Sequence, residues 1–236
     1  MDEEYHMTEE ERIGLELEKE TKRKKGKKTA LIILLVLLGI AGFFIVLAII
    51  TASQTEHRKP VIYFYPETRT EIFVQLDFDG KLTTTYPKYS DGWKVTAEPD
   101  GTLTDTEGQK YNYLYWEGIS DAEYDMSEGF CVKGSDTAEF LEHALDKLGL
   151  TRREANEFIV YWLPLMESNE YNVISFQKEA YTDGAKLNIN PCPDTVIRVF
   201  MTWYGNNNPV EVKEQELTAP ERKGFTVVEW GGSEIQ

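Results

Sequence analysis

The sequence predicts an α+β protein in which a single N-terminal transmembrane helix precedes a β-rich antiparallel domain, meander or sandwich-like, with one or two packed helices. Three observations support this fold class. Residues 30–50 form one apolar block without a charged side chain. Many later segments alternate apolar and polar residues at the period of a strand. Two further segments combine helical spacing with capping signals.

The apolar block Ala30–Ile50 has 21 residues, and a helix of that length covers roughly 31 Å, about the hydrocarbon thickness of a bilayer. Six bases lie within Lys22–Lys28, whereas only Arg58 and Lys59 follow closely on the other side. The positive-inside rule therefore predicts a single-pass plasma-membrane protein with its N-terminus in the cytoplasm. A cleaved secretory signal is the alternative, but its apolar region would be shorter, at roughly 7 to 15 residues.

Four segments follow from this reasoning. Residues 1–28 are predicted to be a cytoplasmic charged tail, 29–52 the transmembrane helix with the lipid bilayer as its partner, 53–59 a tether that includes His57, and 60–236 an extracytoplasmic domain. Pro60 marks the entry to that domain.

The domain begins with short runs that read as strands. Residues 71–78 alternate clearly, and Asp79-Gly80 between two alternating runs predicts a hairpin. Further turn residues separate short runs and predict an antiparallel meander. The predicted strands are 61–65, 71–78, a run from Leu82, 93–97, 102–105, 111–117, 158–163, 171–177, 195–204 and 225–230.

Two helices interrupt the strands. The first is predicted to begin at Ser135 or Asp136 and to end before Gly149, a C′ glycine. A capping box, Thr151-x-x-Glu154, predicts a second short helix. The next run, Phe158–Leu163, is apolar on both faces, which favours a central strand covered by the helices.

The acidic charge of the chain and its small number of histidines exclude several functions. From Ser53 onward the chain carries 32 acids and 17 bases, so nucleic acid and anionic headgroups are poor partners. The chain has three histidines, at positions 6, 57 and 143, which excludes a multi-histidine zinc site, and no metal or cofactor is predicted. The two cysteines, Cys131 and Cys192, either form a disulfide or remain free; spacing alone does not decide.

Aromatic residues supply the candidate binding surface. Tyr111, Tyr113 and Tyr115 share one face of a predicted strand and stack well on sugar rings or proteins if exposed. Trp116 and Trp230 are the further candidates at strand ends. The alternative is that all five pack at the edge of the core.

Two acids beside tryptophan suggest a catalytic alternative. Glu117 lies in Trp116-Glu117-Gly118, and Glu229 precedes Trp230. Two carboxyls at roughly 5 to 9 Å, one of them held against an indole, would form a glycoside-hydrolase pair. The pattern does not decide between enzyme and binding protein, but it favours a protein without catalytic activity.

Four ordered motifs carry a resemblance: Lys59–Pro66 (KPVIYFYP), Tyr115–Gly118 (YWEG), Phe158–Pro164 (FIVYWLP) and Phe225–Gly232 (FTVVEWGG). Together they resemble an uncharacterised bacterial family of exported or membrane-anchored proteins that opens on KPVIYxYP and closes on VVEWGG. The resemblance implies a domain boundary near Lys59 and implies no activity.

The sequence therefore predicts a membrane-anchored extracytoplasmic binding or structural module of the cell envelope, with a wall polymer or a protein as ligand. The alternative is an envelope glycan hydrolase that uses Glu117 and Glu229. The oligomeric state does not follow from the sequence.

Overall fold

A computed structural model describes residues 34–46 and 54–235, together with positions 9, 17, 22, 23, 25 and 28. The chain divides into two compact units, residues 1–53 and residues 54–236.

In the first unit, residues 34–46 are helical. No helix among the described residues is both long enough and apolar enough to cross a bilayer. This finding corrects the predicted transmembrane helix at Ala30–Ile50. Residues 30–33 and 47–50 of the predicted span lie outside the described residues.

The second unit is α+β and rich in strands. An eight-stranded sheet has helices on one face and a five-stranded sheet on the other, so two hydrophobic cores share it. The strands are β1 (Thr55–Tyr65), β2 (Thr70–Phe78), β3 (Lys81–Tyr86), β4 (Trp93–Ala97), β5 (Leu103–Asp105), β6 (Lys110–Tyr111), β7 (Leu114–Ser120), β8 (Glu128–Lys133), β9 (Tyr171–Gln177), β10 (Ala185–Asn190), β11 (Thr195–Asn206), β12 (Lys213–Glu214) and β13 (Thr226–Glu234). The helices are α1 (Thr137–Lys147), α2 (Arg152–Met166) and α3 (Glu179–Gly184).

The strand order is β12-β8-β9-β11-β13-β1-β7-β3 in the large sheet and β10-β2-β4-β5-β6 in the small one. Most pairs are antiparallel, as predicted. Two of the pairs, β11 with β13 and β12 with β8, are parallel. The strands β4, β5 and β6 are neighbours both in chain order and in the small sheet, so the meander part of the prediction holds for these three strands.

The position of strand β1 explains why the opening motif KPVIYFYP is apolar. Val61 and Tyr63 point into the core beneath the helices, whereas Ile62 and Phe64 point toward the small sheet. A strand covered on both faces is apolar at every position. Its antiparallel neighbour β13 carries the closing motif, with Val61 opposite Trp230. A Cβ on Gly231 would lie 3.0 Å from Pro60, so the two motifs pack directly on each other.

Both predicted helices form. Helix α1 ends at Lys147, and Gly149 follows its C-cap with φ +83°, a left-handed conformation that glycine adopts without strain. Helix α2 begins with the complete capping box between Thr151 and Glu154.

The predicted strand Phe158–Leu163 is wrong, because these residues lie inside helix α2. Phe158 and Trp162 are fully buried on one face, while Val160 between them is 74% exposed. An apolar run of six residues fits either period. The run is helical because it lies within a helix of 15 residues that begins with a capping box.

The predicted hairpin at Asp79-Gly80 is also wrong. Strand β2 pairs with β4 and β10, whereas β3 pairs with β7 in the other sheet. The turn therefore carries the chain from one sheet to the other. A Cβ on Gly80 would lie 2.5 Å from the Ile119 carbonyl oxygen, so close packing accounts for glycine here.

Strand β1 begins at Thr55, which places most of the predicted tether 53–59 inside the sheet. The pairing of β1 with both neighbours shifts register before Val61, which marks a β-bulge. Lys59 lies in this bulge with φ +58°. His57, predicted to lie in the tether, is only 2% exposed.

Candidate functional site

Two of the predicted binding residues, Tyr113 and Tyr115, meet a third tyrosine, Tyr161 of helix α2, around one lysine. The Nζ atom of Lys59 lies 5.3 Å from the ring centroids of Tyr113 and Tyr115 and 5.8 Å from that of Tyr161. All three distances fall within the range of cation–π attraction. These three tyrosines and Lys59 are called the tyrosine–lysine site below.

The bulge in β1 directs Lys59 to this position. A left-handed conformation is unusual for a residue with a side chain and has an energetic cost. The Lys59 backbone N–H donates to Glu117 Oε1 at 3.2 Å, which helps hold the bulge. The neighbouring strand β7 supplies both Tyr115 and Glu117.

A cavity of about 350 Å³ adjoins the tyrosine–lysine site. Its lining includes Glu117 and Tyr161, together with Glu56 and Arg58 of strand β1. The Arg58 guanidinium donates to Glu56 Oε2 at 2.8 Å. The site therefore combines aromatic faces, two carboxylates and two cations, a composition that binds polar ligands with flat apolar faces.

The hydroxyls of Tyr115 and Tyr161 stay protonated at physiological pH. Burial, followed by the nearby Glu117 carboxylate, raises the pKa of Tyr115. The same two causes raise the pKa of Tyr161. Each hydroxyl can therefore both donate and accept a hydrogen bond.

The other predicted binding residues lie elsewhere. Tyr111 packs against the core between the two sheets, and its hydroxyl donates to Asp105 Oδ2 at 2.8 Å. Trp116 and Trp230 are fully buried and cannot contact a ligand at the surface. For these two tryptophans, core packing is the observed role.

The two predicted catalytic carboxylates lie on opposite faces of the large sheet. Glu117 lines the cavity beside helix α2, with Tyr161. Glu229 is fully buried toward the small sheet, where it accepts from Trp116 Nε1 at 3.1 Å and from Arg198 Nε at 2.7 Å. The predicted carboxylate pair is therefore not formed.

Both cysteines are free. The backbone N–H of Val210 donates to the Cys131 sulfur at 3.3 Å, and Cys192 is exposed on the loop after β10. Of the two alternatives that the sequence left open, the structure has the free thiols.

Comparison with known proteins gives one informative match. The chain is 49% identical over 70 residues to a protein of Butyrivibrio fibrisolvens described as "Uncharacterized protein in bglA 3'region". The match covers 28% of this chain and 72% of the relative. The chain belongs to the family of this uncharacterised protein. Membership in this family adds no activity, substrate or partner.

The other two comparisons give no match. No protein-family model matches the chain, and no solved structure resembles it significantly. The site must therefore be interpreted from its own geometry.

Sequence reasoning missed Lys59 and Tyr161 as members of the site. Lys59 opens the KPVIYFYP motif, but sequence alone does not reveal a bulge. Tyr161 was assigned to a strand, so its position beside β7 could not be foreseen. A helical reading of residues 158–163 would have placed Tyr161 beside Phe158, three residues on, at the edge of the buried face of α2.

Proposed function

We propose that residues 54–235 form a binding module of the cell envelope, acting outside the cytoplasm, and that a wall glycan binds at the tyrosine–lysine site. One observation supports this proposal most directly. Three half-buried tyrosine rings surround one lysine ammonium beside a cavity of about 350 Å³ that carries carboxylates.

The chemistry of the site fits a sugar polymer. Apolar ring faces of sugars pack on tyrosine rings, and hydroxyls at their edges need both donors and acceptors. Lys59 supplies a donor, Glu117 an acceptor, and the tyrosine hydroxyls supply both. The domain's excess of acids disfavours anionic polymers, so the glycan in this proposal is uncharged.

Export is part of the proposal. Its support is the resemblance of the KPVIYFYP and VVEWGG motifs to those of exported bacterial proteins. Surface labelling of intact cells tests it. We expect the folded domain to be accessible to an added antibody or biotinylation reagent, and exclusive labelling after lysis would contradict export.

The binding proposal is tested by titrating the full-length chain with uncharged oligosaccharides prepared from bacterial wall material, using calorimetry. We expect Tyr161→Ala to weaken binding by about tenfold, because a stacked ring contributes about 1 to 1.5 kcal/mol. Tyr171→Ala is the matched control. Tyr171 is half-buried at the start of β9, four strands from β7 in the large sheet, and we expect unchanged affinity.

Equal affinity of the wild type and Tyr161→Ala would contradict the proposed site. Absence of binding to any wall oligosaccharide, with the fold intact, would contradict the glycan as ligand. A protein ligand is the second candidate, because aromatic and charged side chains also form protein interfaces.

A further inference from the structure

A second cavity, of about 430 Å³, lies near the start of strand β1 and is separate from the three tyrosines of the tyrosine–lysine site. Its lining includes His57, Ser120 and Tyr124, with Phe78 beside them. Two carboxylates, Asp79 and Asp121, and one cation, Lys81, also contribute to the lining. The volume is in the range of cavities that hold small ligands.

The polar groups at this cavity are buried and incompletely paired. His57 is 98% removed from solvent, and its Nε2 atom lies 2.8 Å from Ser120 Oγ. Within the part of the chain that the structure describes, His57 Nδ1 and the Tyr124 hydroxyl have no hydrogen-bond partner. Each such group destabilises a fold, so its presence calls for an explanation.

The histidine is neutral at physiological pH. Burial lowers the pKa of His57 to about 4. The rings of Phe78, Tyr124 and Tyr181 pack around the imidazole at centroid distances of 4.9, 6.2 and 6.0 Å. A neutral imidazole has one nitrogen that donates and one that accepts. His57, Ser120 and Tyr124 together can therefore satisfy groups that are both donors and acceptors.

We propose that this cavity binds a small uncharged ligand rich in hydroxyl groups, of the size of a monosaccharide. Hydroxyls are the groups that both donate and accept, which matches the neutral histidine, the serine and the tyrosine. The carboxylates of Asp79 and Asp121 accept pairs of hydrogen bonds from neighbouring hydroxyls and repel anions. The ring of Phe78 supplies the apolar surface on which a sugar ring packs.

The test follows the His57 ring signals by NMR in the full-length chain labelled with ¹⁵N-histidine. The probes are D-glucose, D-galactose and N-acetyl-D-glucosamine, titrated separately. We expect saturable shifts of the His57 signals with at least one sugar. The exposed His143 serves as the internal control, and its signals should not move.

Two variants locate the ligand. Tyr124→Phe removes only the unpaired hydroxyl, so we expect an intact fold, an unchanged or higher midpoint of thermal unfolding, and affinity reduced by up to about tenfold. Ser120→Ala should also weaken binding, while Tyr171→Phe should not. His57 and Ile119 line both cavities, so the Tyr161→Ala variant, which alters the tyrosine–lysine site, separates the two proposals. The His57 shifts should persist in that variant; their loss would place the sugar at the tyrosine–lysine site and overturn this proposal.

Absence of saturable His57 shifts with all three sugars would overturn the proposal. Equal sugar affinity in the wild type, Tyr124→Phe and Ser120→Ala would overturn it as well. If Tyr124→Phe lowers the thermal midpoint, the hydroxyl has a structural partner, and the argument from unpaired groups is wrong.

Discussion

The two faces of the large sheet are stabilised in different ways. The face beneath α1 and α2 is packed with large apolar and aromatic side chains, among them Leu145, Phe158 and Trp162. Buried charge on this side lies at a helix end, where Glu154 pairs with Arg222 and completes the capping box. The face beneath the small sheet instead buries an ion pair, Arg198 with Glu229, in its middle strands.

The two faces therefore contribute to the free energy of unfolding in different ways. Apolar packing contributes to stability at nearly every position. A buried ion pair contributes little net stability, yet removing one partner is costly because the other charge remains buried. The helix-covered face should therefore respond to changes in volume, and the sheet-covered face to changes in charge.

The largest effect is expected from Arg198→Met. Arg198 is 10% exposed and Glu229 is fully buried, so the substitution leaves a carboxylate without its cation. We expect a loss of about 3 to 5 kcal/mol in the free energy of unfolding, measured by urea titration. The double variant Arg198→Met with Glu229→Gln keeps an acceptor for Trp116 and should regain most of this loss. A double variant as unstable as the single one would contradict the charge-based account.

A smaller loss in the free energy of unfolding is expected from Leu145→Ala on the other face. Leu145 is fully buried on the inner side of α1, so truncation leaves a cavity and costs about 2 to 4 kcal/mol. The matched control is Val160→Ala, because Val160 is 74% exposed on α2 and should change stability by less than about 0.5 kcal/mol. Similar losses of unfolding free energy from Leu145→Ala and Val160→Ala would show that buried side-chain volume does not determine the stability of this face.

The third prediction concerns pH and again separates the two faces. The pKa of His57 is lowered from 6.5 to about 4 by burial, so between these values the unfolded chain binds more protons than the folded one. Stability should therefore be highest above pH 6.5 and fall as the pH drops toward 4, by on the order of 3 kcal/mol at most.

The control for this pH dependence is His57→Leu. In that variant the part of the pH dependence that His57 causes should disappear, as measured by thermal unfolding at several pH values. Leu145→Ala, in contrast, should keep the wild-type pH dependence at a lower overall stability. A His57→Leu profile parallel to the wild type between pH 4 and 6.5 would contradict the assignment.

The smallest effect is expected at the start of helix α2. Thr151 Oγ1 accepts from the Glu154 backbone N–H at 3.4 Å, and Thr151→Ala should cost about 1 kcal/mol. Thr106→Ala, at an exposed turn, is the control and should have little effect. If the two threonine variants are equally stable, the capping box does not stabilise the helix.

Sequence reasoning predicted the helix-covered face better than the sheet-covered one. Helix α1, its terminal glycine and the capping box of α2 follow from local signals, which act within a few residues. The pairing of Glu229 with Arg198 and the burial of His57 depend on strands far apart in the chain, so no local pattern reveals them. The hairpin prediction at Asp79-Gly80 is wrong for the same reason. The two residues form a turn, but the strands on either side of it, β2 and β3, lie in different sheets.

The binding site shows the same limit. Tyr113 and Tyr115 were predicted from their alternation in a strand, and the structure brings them together. The position of Lys59 depends on a β-bulge that the sequence does not indicate. The position of Tyr161 depends on helix α2, whereas the apolar run 158–163 predicts a strand. The N-terminal prediction rested on hydropathy, length and flanking charge, and no helix among the described residues is long and apolar enough to cross a bilayer.

The most direct test of the central claim is an NMR titration of the full-length chain, with ¹³C-labelled tyrosine rings, by uncharged wall oligosaccharides. The account predicts saturable shifts for the ring signals of Tyr113, Tyr115 and Tyr161, with those of Tyr171 unmoved. Shifts confined to tyrosines outside this group, or no shifts at saturating oligosaccharide, would contradict it.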